Sequence, residues 1–153
     1  MADKVFNIAK GKVARYADLP DANDALIVVL LKASGLEGDS TLEDYATLSA
    51  LLAAANDEAD FTGYSRKTLA SVVSTPDNTN NRMDTDAADP SAYTNSGGSS
   101  QAVGKLLVVW DGDTTGGTDA NIVPLTMHDC VVTFDIGVAT TIAFATAGFF
   151  RAS

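Results

Sequence analysis

The chain has 153 residues, 46% hydrophobic and 20% charged, which is the size of one ordinary domain and too apolar for wholesale disorder. Twenty acidic residues against ten basic ones give a net charge of -10. Such a surface repels phosphate, and the lysines and arginines are spread singly, so binding to nucleic acid or to an anionic membrane is not expected. A single cysteine, Cys130, leaves no intrachain disulfide and no multi-cysteine metal site. Met1-Ala2-Asp3-Lys4 lacks the charged and then apolar start of a signal peptide, and the apolar run from Ala25 to Leu31 is far short of a membrane span, so a soluble product is expected.

Taken in chain order, residues 5–16 open with Phe6 and Ile8 on one face and Asn7 on the other, which predicts a strand with a bulge at Gly11. Leu19-Pro20-Asp21 breaks it. The apolar run 25–31 predicts a strand buried on both faces, with a short buried helix as the alternative. Gly35 and Gly38 end that element. Ser40 and Glu43 have the spacing of a capping box, and Leu42, Tyr45, Leu48, Leu51, Leu52 and Ala55 recur at three- and four-residue steps. One helix over about 41–55, packed on a sheet, is the expectation.

Phe61, Tyr64 and Thr68 predict a strand within 60–69. Residues 74–100 are rich in Asp, Asn, Thr, Ser and Gly, which predicts long polar surface loops with a short extended piece near 83–93. Dense β segments follow at 105–110, 122–125 and 131–150. The last alternates Val132, Phe134 and Ile136 against Thr133 and Asp135, with a turn near Gly137, and then Ile142 and Phe144 against Thr141 and Ala143. Phe149 and Phe150 need tying into a sheet or a neighbour. The fold class expected is α+β, mainly β: an antiparallel β-sandwich or barrel-like sheet with one packed α-helix. A single domain over 1–153 would carry its loop-rich region at about 74–100.

His128-Asp129-Cys130 is the one crowding of catalytic residue types. On a strand, His128 and Cys130 share a face and Asp129 points away, so a triad does not form. Asp111-Gly112-Asp113-Thr114-Thr115-Gly116 starts like a calcium loop, but Ile122 stands where the bidentate Glu belongs. A looser site on Asp111, Asp113 and Asp119 would suit a calcium-dependent carbohydrate-binding sandwich using Trp110. The competing reading is a tight Asp/Gly connection between strands. Asp84, Asp86 and Asp89 offer a weaker cation candidate. No phosphate loop, HExxH or CxxC occurs. The expectation is no enzyme, with no catalytic, cofactor-binding or metal residues and no cofactor.

Phe6-Asn7-Ile8-Ala9-Lys10-Gly11, the run from Asn23 to Lys32, Leu42-Glu43-Asp44-Tyr45 leading to Leu51-Leu52-Ala53, and Asn56 to Thr62 together resemble small virion proteins of tailed bacteriophages. So do Asp84-Thr85-Asp86, Tyr93-Thr94, Gly104 to Val108 and the ending Gly148-Phe149-Phe150-Arg151. The resemblance covers nearly the full length and rests on order and spacing. It implies a non-enzymatic capsid decoration (cement) protein binding the major capsid protein lattice and copies of itself, a trimer among the arrangements expected. That protein would be made in the host bacterial cytoplasm and sit on the outer capsid surface. A phage tail or fibre binding module is the alternative.

Overall fold

The computed structural model describes residues 4–145 and 148–152. At its centre is β2 (Ala25–Lys32), whose apolar, β-branched run is buried on both faces as the sequence predicts. It pairs antiparallel with β7 (Gln101–Asp111), from Ala25 opposite Asp111 to Lys32 opposite Val103. β7 pairs in turn with the long β8 (Val123–Phe134). Two-residue strands finish the edges: β1 (Lys4–Val5) beside β8 and β3 (Lys67–Thr68) beside β2, in the order β1-β8-β7-β2-β3. Burying each Leu or Val side chain of β2 and β7 contributes about 1.5–3 kcal/mol, so these strands dominate the stability.

A second antiparallel sheet has β5 (Arg82–Asp86) between β4 (Val73–Asp77) and the C-terminal β10 (Phe150–Ala152). A third joins β6 (Tyr93–Thr94) to β9 (Ala139–Thr140). With 37% strand and 12% helix the chain is mainly β with antiparallel sheets, as expected. Among the described residues no helix is long and apolar enough to cross a membrane.

The single helix over 41–55 is not there. Two short helices replace it, α2 (Asp39–Leu42) and α3 (Leu48–Leu52), with α1 (Val13–Ala17) earlier in the chain. Gly38 is the N-cap of α2, so Ser40 falls inside the first turn without a capping bond and Glu43 closes the helix. Thr47 is extended and starts α3 afresh, its hydroxyl accepting from the Ala50 N–H at 3.2 Å. The apolar spacing was informative at a different level: Leu42, Leu48 and Leu51 are all fully buried.

The strand expected over 5–16 is also corrected. Beyond β1 the chain makes a 3-10 turn at Asn7–Ala9 and then α1. Phe6, Ala9, Val13 and Ala17 are the buried side chains, at steps of three and four, whereas Ile8 is exposed. Gly11 sits in the turn between them at φ +76 rather than in a bulge. The 60–69 segment holds only β3; Phe61 packs inward before a turn at Gly63, whose φ of +94 and closeness to the Thr94 carbonyl leave no room for a Cβ.

Residues 74–100, expected as loops with a short extended piece near 83–93, contain β5 and β6 at the two ends of that piece and also most of β4, which was not expected. Polar side chains build that hairpin: the Ser74 and Thr85 hydroxyls meet at 3.1 Å and Asp77 pairs with Arg82 at 3.1 Å. Residues 123–134 form one strand rather than two pieces, while Ile142 and Phe144 pack on the core from irregular backbone. The turn at Gly137 is present. The expectations on residues 1–3, 146, 147 and 153 fall outside the described residues.

Candidate functional site

β8 carries His128, Asp129 and Cys130, and all three line one cleft, but Asp129 is turned to a partner of its own. Asp129 lies opposite Lys105 of β7 and accepts a hydrogen bond from its ammonium. Lys105 is only 6% exposed, and its ammonium also reaches Asp39 Oδ1 at 2.7 Å. Burial opposes the Lys105 charge, but the bonds to Asp129 and Asp39 outweigh it and hold the group above its ordinary value. Asp129 is therefore committed to a structural lysine and does not orient His128, whose Nε2 is 2.9 Å from the Thr126 hydroxyl. Burial pushes the Cys130 thiol up to about 11, which leaves it protonated and weakly nucleophilic at neutral pH.

Two clefts flank His128. One of about 310 Å³ lies between β1, β8 and the C-terminal strand, lined among others by Lys4, Thr126, Phe149 and Arg151. Another of about 190 Å³ is lined by Cys130, Ile142, Phe144 and Phe149. Neither was legible beforehand, because the C-terminal segment forms a wall of each. It is held there by the Phe144 N–H bond to Asp89 Oδ1 at 2.7 Å and by Phe149 N–H to the Thr85 carbonyl at 3.1 Å. Gly148 runs against that same carbonyl at φ +84, where a side chain would collide with it.

The 111–119 loop closes on itself. Asp111 Oδ1 accepts from the Asp113 N–H at 3.1 Å, and Asp113 Oδ1 accepts from the Thr115 N–H at 3.0 Å and its hydroxyl at 2.5 Å. The Thr115 bonds hold the Asp113 carboxyl below its ordinary value. Asp119 turns elsewhere, to Arg66. No protein-family model, curated protein or solved structure matches the chain.

Arg66 is the polar hub that sequence reasoning missed. It donates to both oxygens of Asp119, at 2.5 and 2.8 Å, and to both of Glu58, at 2.9 and 2.7 Å. The Tyr64 hydroxyl donates to Glu58 at 2.8 Å while accepting from the Leu30 N–H of β2 at 3.1 Å. Bidentate pairing of this kind fixes planes as well as distances. It ties the 58–66 loop to the 111–119 loop across the end of the central sheet. Nothing local in the sequence marks a pair 53 residues apart.

Asp84, Asp86 and Asp89 also have separate duties. Asp84 faces Arg82 and Arg151, Asp86 accepts from the Ala87 N–H, and Asp89 anchors Phe144. Among the described residues no group of three His, Cys, Asp or Glu side chains is placed to hold a metal ion.

What the surface does offer is apolar. Val131 is 81% exposed, and Ile136 and Val138 are each 51% exposed, all at the end of β8 or in the turn after it. Contiguous exposed apolar area marks contact surfaces, whereas single exposed side chains are ordinary.

Proposed function

We propose that the chain is a non-enzymatic structural protein of a tailed-bacteriophage virion, a capsid decoration (cement) protein held against the major capsid protein lattice on the outer head surface. The observation that carries this reading is the exposed apolar group Val131, Ile136 and Val138 on an acidic body whose loops are tied down by Arg66 and Lys105. A rigid body with a limited contact patch suits a protein repeated over a lattice, where modest contacts add through multivalency. The remaining acidic surface keeps particles apart in solution. Residue order resembling small phage virion proteins over nearly the full length supplies the virion context.

Mass spectrometry of purified virions is the test. Peptides of this chain should be abundant, and gold-labelled antibody should decorate heads. Virions without the chain, or labelling confined to tails, overturn the proposal.

A further inference from the structure

The larger cleft beside His128 differs in charge from the rest of the molecule. Thr126 and His128 share one face of β8, and Val5 of β1 lies directly opposite Thr126, so all three belong to one face of the sheet. Phe149, Phe150 and Arg151 form another wall, and Lys4 stands next to Val5 on the edge strand. At about 310 Å³ the cleft has the size that takes a small organic molecule. The chain has 20 acidic residues against 10 basic ones, yet among the described residues this lining holds Lys4, Arg151 and His128 and neither Asp nor Glu. Apolar walls around such charges focus their potential into the space between them.

The two cations are held loosely, unlike the structural ones. Arg66 meets Glu58 and Asp119 in paired hydrogen bonds, and Lys105 reaches Asp39 at 2.7 Å. Lys4, by contrast, lies 3.6 Å from Glu43, beyond hydrogen-bond distance. Arg151 Nε is 3.4 Å from Asp84 Oδ1, an oxygen that Arg82 Nε already meets at 2.9 Å. The Lys4 and Arg151 side chains are 34% and 47% exposed, and ion pairs that open and that long give up little when a ligand replaces them. His128 is engaged with the Thr126 hydroxyl and serves as wall.

The smaller cleft shares His128 and Phe149 with the larger one and is walled by Leu106, Ile142 and Phe144. Its carboxylate, Asp129, is already bound to Lys105. From this arrangement we infer that the paired clefts bind an organic carboxylate, its head taken by Lys4 and Arg151 and its apolar body laid against Phe149 toward Ile142 and Phe144. A guanidinium matches the planar carboxylate, and the phenylalanine walls reward a body that inorganic phosphate lacks. The site depends on the cleft alone, so it neither needs nor tests the virion reading.

The experiment is an NMR titration of the isotope-labelled full chain with hexanoate, with its uncharged counterpart hexanamide, and with inorganic phosphate. Hexanoate should shift the amides of Val5, Thr126, His128, Phe149 and Arg151, and less so at high salt. Hexanamide should bind about fivefold or more weakly, and phosphate should shift none of these amides. Lys4→Gln and Arg151→Gln should each weaken hexanoate binding by about fivefold, with amides remote from the cleft unmoved to show that the fold is kept. Lys12→Gln, an exposed lysine outside the lining, should leave binding unchanged. No shift at millimolar hexanoate, an equal response to hexanamide or to phosphate, shifts confined to other amides, or full binding by both cleft variants overturns the inference.

Discussion

The central sheet and the three-stranded sheet are built from the same backbone geometry by opposite chemistry. β2 and β7 are held by leucines and valines with almost no exposure, so their stability scales with apolar area and is indifferent to salt and pH. β4 and β5 are rich in Ser, Thr, Asp and Arg, and β10 adds Arg151, with Asp77–Arg82, Arg82–Asp84 and Arg151–Asp84 pairs between and along strands. Bonds of that kind are individually small when exposed and answer to solution conditions. The centre fixes the fold; the polar ties fix where the loops and the C-terminal segment rest upon it.

The sharpest way to probe the apolar half is Leu30→Ala, in the middle of β2 and fully buried. It should lower stability by about 2–5 kcal/mol in denaturant unfolding, and a smaller loss would mean that the sheet can collapse around the gap. On the polar side, Arg66→Met removes four hydrogen bonds and leaves Glu58 and Asp119 facing each other. A loss of about 1–3 kcal/mol is expected, below that for a fully buried network because both carboxylates are partly solvated.

Acid should separate the two halves further. The Arg66 guanidinium holds the Asp119 carboxyl below its ordinary 3.8. A carboxyl lowered by folding stabilises the native state above its unfolded value and withdraws that support as pH falls toward the folded one. Melting temperature should therefore drop between about pH 5 and about pH 3, and drop less steeply in Arg66→Met than in the parent. Equal slopes would remove the Asp119 contribution. The smallest effect concerns the two short helices: Thr47→Ala should cost about 1 kcal/mol through the lost cap of α3, and Ser40→Ala close to nothing.

These differences also explain what the sequence could and could not disclose. β2 was legible because seven consecutive apolar residues admit few other readings. The buried positions Leu42, Leu48 and Leu51 were legible from their spacing, but the break at Thr47 was not, since it depends on α3 docking its N-terminal N–H groups on the Ile122 and Asp119 carbonyls. The first segment misled because Phe6 and Ile8 alternate locally while Phe6, Ala9, Val13 and Ala17 carry the longer, helical period. The β4–β5 hairpin was hidden by composition: its strands are stabilised by cross-strand polar pairs that resemble loop residues one at a time. At the candidate site, the failure of Asp129 to orient His128 was legible from strand period. The partners that decide its role, Lys105 and Asp39, did not, and neither did Arg66.

Cryo-electron microscopy of the particle proposed to carry the chain tests the central functional claim most directly. Density for this chain should lie on the outer capsid surface, with Val131, Ile136 and Val138 turned onto a neighbouring protein. A head whose outer surface lacks the chain, or carries it with Val131, Ile136 and Val138 facing bulk water, would contradict it.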